Sequence, residues 1–119
     1  MSSAEHAILI VDNDHSTREL YQRALGQDYL VLASGDEPAV LDLLQRHDVR
    51  AVVIEPGPAN SRGWKLFAEL KRDPATRMIP VIVCTAQDER RRGLALGAAV
   101  YLIKPVLPTT LLAALRLIV

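Results

Sequence analysis

Five short apolar runs recur along the chain, separated by longer segments of mixed polarity. The runs are rich in valine and isoleucine and lack polar alternation, which is typical of strands buried on both faces of a parallel sheet. They cover residues 7–11, 29–33, 51–54, 81–84 and 100–103. The pattern therefore predicts five buried strands.

The segments between these runs have the apolar spacing of amphipathic helices. Ser16 and Glu19 form a capping-box pattern in the first, and Ser34 and Glu37 repeat it in the second, where Pro38 falls in the first turn. The helical segments cover residues 16–25, 34–44, 64–71, 90–96 and 109–118. Strands that alternate with helices in this way predict a doubly wound α/β domain, with a five-stranded parallel sheet and right-handed crossovers.

Polar side chains follow four of the five runs at the point where each predicted strand ends. They are Asp12, Asn13 and Asp14 after the first, Glu55 after the third, Thr85 after the fourth and Lys104 after the fifth. The carboxyl ends of parallel strands meet at one edge of the sheet, where such folds bind ligands. The sequence thus predicts a site at this edge that combines acids, a hydroxyl and an amine.

Composition indicates that partners are recognised locally. The chain has 119 residues, enough for one domain, and its 14 basic and 14 acidic residues cancel to a pI near 6.8. This balance favours neither nucleic acid nor anionic lipid as a direct partner. Cys84 lies in an apolar run and is predicted to be a buried thiol in a reducing compartment. Because no apolar run approaches the roughly 20 residues that span a bilayer, we expect a cytoplasmic protein without membrane contact.

Over nearly its whole length the chain resembles the receiver domain of two-component response regulators. The stretches that carry the resemblance are ILIVDNDHSTREL, AVVIEPGPANSRGWKL, IPVIVCTAQ and LGAAVYLIKP, and Gly63 stands at the usual place of the family's loop glycine. The resemblance implies a flavodoxin-like (βα)5 fold with strand order 2-1-3-4-5. It also implies an acidic pocket at Asp12 and Asn13, the phosphoacceptor position at Glu55, the switch hydroxyl and aromatic at Thr85 and Tyr101, and the phosphate-binding lysine at Lys104.

Two of these positions depart from the family pattern. Asn13 replaces a charged ligand with a neutral amide, and Glu55 carries its carboxylate one methylene further from the backbone than an aspartate does. Mg²⁺ requires near-ideal octahedral oxygen ligands, and a displacement of about 1 Å can cost about 100-fold in rate. We expect no catalytic residue and no cofactor, with at most weak Mg²⁺ binding at Asp12 and Glu55. The longer Glu55 side chain could instead reach Lys104 or Thr85, either imitating a phosphoaspartate or only filling space.

The fourth and fifth helices carry the candidate interface residues. Arg90 and Arg91 open the fourth helix, and the segment around it is about one turn shorter than receivers generally have. Leu117 and Ile118 belong to an apolar surface that extends round more of the fifth helix than one core-facing stripe requires. We therefore predict a homodimer through these two helices.

Three functions remain open from the sequence. The interpretation we favour is a non-enzymatic, phosphorylation-independent interaction module whose partners are signalling proteins or a fused output domain, with a histidine kinase as a further contact. The alternatives are an Mg²⁺-dependent phosphoacceptor that uses Glu55, and a small-ligand-binding domain on the same fold. Because residue 119 falls inside an uncapped apolar helix, we expect residues 1–119 to be one domain, an excised or N-terminal part of a longer chain.

Overall fold

A computed structural model describes residues 6–119 as an alternating series of strands and helices. The strands are β1 (Ala7–Val11), β2 (Leu30–Ser34), β3 (Val49–Ile54), β4 (Val81–Thr85) and β5 (Val100–Ile103). The helices are α1 (His15–Leu25), α2 (Glu37–Arg46), α3 (Arg62–Arg72), α4 (Arg90–Leu96) and α5 (Pro108–Ile118). The five predicted βα units are thus confirmed. The boundaries of β2, β3 and β4 differ from the predicted ones by one or two residues, and those of β1 and β5 are as predicted.

The strands form one parallel sheet in the order β2-β1-β3-β4-β5, which confirms the predicted topology. Helices α1 and α5 cover one face, where Leu25 and Leu115 are fully buried. Helices α2 and α3 cover the other face through residues such as Val40 and Phe67. Val11 pairs with Ser34 on one side and with Ile54 on the other, so β1, β2 and β3 end at the same level. That common end places the residues after β1 and β3 beside each other.

The predicted capping boxes are wrong, because an aspartate and not the predicted serine caps each helix. Asp14 caps α1 by accepting a hydrogen bond from Thr17 N at 3.1 Å, so the helix begins before Ser16. Asp36 caps α2 by accepting from Ala39 N at 3.0 Å, whereas Ser34 belongs to β2. An aspartate and a serine cap a helix equally well, so tertiary position decides between neighbouring candidates.

Two further features bear on the surfaces of the domain. The expectation that every strand is buried on both faces is wrong for the two edge strands, because Leu30 of β2 is exposed and β5 is only partly buried, whereas β1 and β4 are buried throughout. Helix α4 is short, with 7 residues where the other helices have 10 or 11. Within residues 6–119, none of the helices has the length and apolar character needed to cross a membrane.

Candidate functional site

The ends of β1, β3 and β5 bring Asp12, Glu55 and Lys104 together, as the sequence predicted. Ladder hydrogen bonds continue one residue past each strand: Asp12 N donates to Ser34 O at 3.1 Å, Glu55 N to Val11 O at 2.8 Å, and Lys104 N to Thr85 O at 2.8 Å. The backbone of each residue is therefore fixed by the sheet. The three side chains form what we call the strand-end triad.

Lysine occupies the centre of this triad. Lys104 Nζ lies 2.8 Å from Asp12 Oδ2 and 3.3 Å from Glu55 Oε1. The side chains of Asp12, Glu55 and Lys104 are only 5%, 14% and 23% exposed. Burial by itself would lower the pKa of Lys104, but the Asp12 carboxylate, and then that of Glu55, outweigh burial and raise the pKa above its usual 10.5. The ammonium group therefore stays charged at neutral pH and neutralises part of the paired negative charge.

The remaining carboxylate oxygens of the triad are bound by backbone amides. Asp12 Oδ1 accepts a hydrogen bond from Asp14 N at 2.9 Å, and Glu55 Oε2 accepts one from Gly57 N at 3.1 Å. Gly57 has a φ of 82°, a left-handed conformation that disfavours any residue with a Cβ. Each of the four oxygens thus has a partner inside the chain. The side chain of Glu55, directly after β3, therefore reaches both Lys104 and the amide of Gly57.

Two other predicted site residues adjoin the triad without contacting Glu55. Asn13 is exposed and lines the same cavity of about 380 Å³ as Asp12 and Glu55. Thr85 is fully buried, and its hydroxyl accepts a hydrogen bond from Gln87 N at 3.2 Å. No hydrogen bond joins Thr85 to Glu55. Lys104 and Thr85 were the alternative partners predicted for Glu55, and the contact with Lys104 is the one that is formed.

The side chain of Tyr101 points inward, and its hydroxyl forms hydrogen bonds with the loop between β4 and α4. Its side chain is largely buried, and its hydroxyl donates to Gln87 O at 2.7 Å while accepting from Glu89 N at 2.9 Å. Burial raises the pKa of this phenol, which keeps it neutral. A Cβ on Gly93 would lie 2.6 Å from the tyrosine ring, so the inward position depends on a glycine there. Tyr101 therefore ties the start of α4 to the sheet.

Three contributors to the site were missed from the sequence. Gly57 supplies an amide to Glu55, Gly93 makes room for Tyr101, and Arg18 Nη1 donates to Asp12 O at 2.6 Å behind the triad. The prolines on either side of Gly57 are a turn signal that could have drawn attention to it. Gly63, which the family resemblance did identify, packs so closely on Pro56 that no Cβ would fit.

The ligand set at this edge is poor for a divalent cation. Within residues 6–119, no group of three or more histidine, cysteine, aspartate or glutamate side chains is placed to hold a metal ion. Asp12 and Glu55 are the two acids in ion-pair contact with Lys104, whereas Asp36 and Glu37 line the same cavity without such a contact and Asn13 adds a neutral oxygen. Because Lys104 already contacts both carboxylates, a magnesium ion here would compete with the lysine ammonium for Asp12 and Glu55.

The candidate interface residues differ in how far they reach solvent. Arg90 and Arg91 are exposed at the start of α4, and the Arg90 guanidinium lies 6.0 Å from the centre of the Tyr101 ring. Leu117 is 84% exposed on α5, whereas Ile118 packs partly against the core. Both α4 and α5 therefore have exposed side chains. On α5, Leu117 exposes far more apolar area than Ile118 does.

Fold and site together define a doubly wound α/β domain with an acid–lysine site at the carboxyl edge of its sheet. The family model for the response regulator receiver domain matches residues 8–116. The chain therefore belongs to the response regulator receiver domain family of two-component signalling. A solved structure of the chemotaxis protein CheY4 from Vibrio cholerae has the same fold, with a TM-score of 0.84 and 23% identity over 96% of this chain and 98% of that one.

Curated relatives contain this domain within longer chains. Response regulator PleD of Caulobacter vibrioides is 31% identical over 113 residues, which are 92% of this chain and 25% of that protein. A protein of Vibrio cholerae serotype O1 named as a probable cyclic di-GMP phosphodiesterase is 28% identical over 102 residues, which are 83% of this chain and 23% of that protein. This chain thus spans about a quarter of the length of these relatives.

Proposed function

We propose that this receiver domain acts as a phosphorylation-independent interaction module that passes signals to partner proteins or to an attached output domain. The observation that carries the proposal is the contact of the Lys104 ammonium with both Asp12 and Glu55, at 2.8 and 3.3 Å. A phosphoacceptor site needs a metal ion to neutralise its carboxylates. In this arrangement the ammonium group of Lys104 supplies that positive charge. Each oxygen of the Glu55 carboxylate then already has a partner in the chain, and residues 6–119 contain no group of three or more histidine, cysteine, aspartate or glutamate side chains placed to hold a metal ion.

The chemistry of Glu55 also opposes phosphoryl transfer. Attack requires a carboxylate oxygen in line with the phosphoryl group, and a displacement of about 1 Å from the productive position can cost about 100-fold in rate. Glu55 Oε1 faces Lys104 and Oε2 accepts the Gly57 amide, so either oxygen would attack with one lone pair already engaged. The Tyr101 hydroxyl already bonds both sides of the β4–α4 loop. We infer that the domain keeps this arrangement constantly and does not catalyse its own phosphorylation.

Intact-mass analysis after incubation with acetyl phosphate, with and without Mg²⁺, tests the proposal. We expect no phosphoryl adduct under either condition. A stable, Mg²⁺-dependent adduct on Glu55 would establish the alternative, a working phosphoacceptor, and end this proposal.

A repaired variant provides the positive control for that experiment. Asn13→Asp combined with Glu55→Asp restores a charged ligand and shortens the acceptor, while Asp12, Thr85 and Lys104 remain. The double variant should gain Mg²⁺-dependent adduct formation beyond the sum of the single variants, because both groups act on one metal. If it gains nothing, the geometry around the site, and not these two side chains, prevents the reaction.

We further propose that the module forms a weak homodimer through α4 and α5. Leu117 on α5 and Leu94 on α4 are 84% and 49% exposed, and burying a large aliphatic side chain contributes roughly 1.5–3 kcal/mol. Sedimentation velocity over a concentration series should show dimer formation that Leu117→Glu abolishes. Met78→Glu is the matched control, since Met78 is 85% exposed outside these helices. A parent that stays monomeric throughout would remove the dimer.

A further inference from the structure

Basic residues are concentrated on α3 and α4. The two helices carry seven lysines and arginines against one acid, Glu69, whereas the rest of the chain carries seven basic residues against thirteen acidic ones. The basic residues are Arg62, Lys65, Lys71, Arg72, Arg90, Arg91 and Arg92. The two helices are therefore rich in cations, although Asp73 directly follows α3 and Asp88 and Glu89 directly precede α4. A local excess of positive charge favours electrostatic recognition of an acidic partner.

A groove of about 710 Å³ runs between these helices. Small or apolar side chains, among them Ala68, Ala95 and Leu96, form much of its wall, and none of the residues that line it is acidic. Three cationic side chains border it: Lys65 and Arg72 from α3 and Arg92 from α4. The α3–α4 groove is thus apolar inside and positive at its edges.

Arg92 is held in place as part of the groove wall. Its guanidinium lies 4.0 Å from the centre of the Trp64 ring, and Nη1 donates to Ala59 O at 2.7 Å. An arginine has five N–H donors, so a guanidinium fixed in this way keeps others for a ligand. Within residues 6–119 no carboxylate lies within ion-pair distance of Lys65, Arg72 or Arg92. The cations of the groove are preorganised or exposed, and none of the three forms an ion pair within residues 6–119.

We propose that the α3–α4 groove binds an acidic amphipathic helix of a partner protein. The apolar stripe of such a helix would pack against Ala68, Ala95 and Leu96, and carboxylates flanking the stripe would pair with the cations at the edges. The proposal goes beyond the interaction module proposed above, because it concerns another surface and holds whether or not Glu55 accepts phosphate.

The shape of the groove favours a peptide over nucleic acid or a bilayer. Single-stranded nucleic acid is bound through exposed aromatic faces on which bases stack, but Trp64 is 2% exposed and lies beneath Arg92. A membrane surface needs a protruding apolar face, whereas the apolar side chains here line a concavity. A helix with mixed acidic and apolar faces matches both the charge and the form of the groove.

The test uses a designed peptide of about 18 residues, roughly five helical turns, with leucines along one face and glutamates elsewhere. Trp64 is the only tryptophan of the chain and lines the groove, so its emission reports occupancy. We expect a saturable change in emission with a Kd on the order of micromolar. A peptide with lysine in place of every glutamate should not bind.

Paired variants with equal net charge locate the binding surface. Lys65→Gln with Arg72→Gln should weaken peptide binding by about tenfold or more, the effect of losing roughly 1.4 kcal/mol. Arg23→Gln with Arg46→Gln removes the same charge from α1 and α2 and should leave the Kd within about twofold of the parent.

Three results would overturn the proposal. The first is equal weakening by the two variant pairs, and the second is equal binding of a scrambled peptide that lacks the leucine face. The third is tighter binding of an oligonucleotide or of phosphatidylglycerol vesicles than of the acidic peptide, which would assign the surface to nucleic acid or membrane. A phosphoryl adduct on Glu55 would overturn the function proposed above but not this one.

Discussion

At the strand-end triad two carboxylates share one ammonium group, whereas at the α3–α4 groove three cations have no carboxylate of residues 6–119 within ion-pair distance. The triad is largely buried, and each of its carboxylate oxygens has a partner in the chain. The groove is open, and its charges face solvent. The charges at the strand ends are thus balanced within the fold, whereas the three cations that border the groove remain accessible to other molecules.

Removing the central cation should have the largest effect on stability. Lys104→Met would leave Asp12 and Glu55 buried side by side without a counter-ion, and breaking a buried ion pair in this way is strongly destabilising. We expect the free energy of unfolding to fall by roughly 3 kcal/mol in urea denaturation at neutral pH.

The control for this variant is Lys65→Met, which removes an exposed lysine and should change stability by no more than about 0.5 kcal/mol. Adding Asp12→Asn and Glu55→Gln to Lys104→Met should recover part of the loss, because no buried charge then lacks a partner. If Lys104→Met lowers the free energy of unfolding no more than Lys65→Met does, the triad does not stabilise the fold and does not differ from the groove in this respect.

The next effect concerns the connection between the sheet and α4. In Gly93→Ala the new methyl would lie 2.6 Å from the Tyr101 ring, so the ring must move and its hydroxyl must release Gln87 or Glu89. Overpacking of this kind should cost roughly 2 kcal/mol of unfolding free energy.

A double-mutant cycle isolates that contact. In a Tyr101→Ala background, Gly93→Ala should be neutral or stabilising by up to about 1 kcal/mol, because alanine favours the helix more than glycine does. Equal costs in both backgrounds would mean that the new methyl group destabilises the domain through a neighbour other than the tyrosine.

The chemistry of the strand-end triad could be predicted because it depends on where parallel strands end. Five apolar runs located the strands, the resemblance supplied their order, and both placed Asp12, Glu55 and Lys104 at one edge. The α3–α4 groove could not be predicted in the same way. Its contact between Arg92 and Trp64 depends on how two helices pack, and a run of three arginines in sequence does not show which one stacks on a ring.

Local alternatives limited the rest of the prediction. Asp14 and Ser16 are both good helix caps two positions apart, and residue type alone does not show that the helix begins directly after Asp14. Likewise, an apolar run does not reveal whether its strand lies at the centre or the edge of the sheet, so the exposure of β2 was missed. The positions of Thr85 and Asn13 were correct, but which side chain Glu55 would contact depended on distances that a sequence does not contain.

Alkaline pH should weaken the triad gradually. The pKa of Lys104 is raised, so the folded state holds this proton more tightly, and its stabilising effect is complete below pH 10.5 and declines as pH rises toward the folded value. Burial also raises the pKa values of Tyr21 and Tyr101, which adds to the loss above pH 10.0. Stability should fall by up to about 1.4 kcal/mol per pH unit for each proton.

Urea denaturation between neutral and alkaline pH measures this slope. Lys104→Met should show a shallower decline than the parent, since the variant lacks one of the titrating groups. Identical slopes in the two proteins would show that the lysine does not titrate with folding.

The smallest effect is expected at the groove. Arg92→Gln removes the contact with Trp64 and should cost only about 0.5–1 kcal/mol, the range for an exposed cation–π pair, while it shifts Trp64 emission. Arg91→Gln is the control on the same helix and should leave emission unchanged. A loss above about 2 kcal/mol would instead mean that Arg92 serves the fold, as Lys104 does, and would erase the contrast between the two regions.

The central claim is that lysine, and not a metal, neutralises the carboxylates of the triad. The most direct measurement follows the amide resonance of Gly57, whose N–H donates to Glu55 Oε2 at 3.1 Å, by NMR during titration with Mg²⁺ and then with beryllofluoride. We predict that the chemical shift of this resonance does not change. The amide resonance of Asp14, whose N–H donates to Asp12 Oδ1, should not change either. The repaired Asn13→Asp, Glu55→Asp variant should show shifts that saturate. A saturating shift of the Gly57 resonance in the parent protein would contradict the claim.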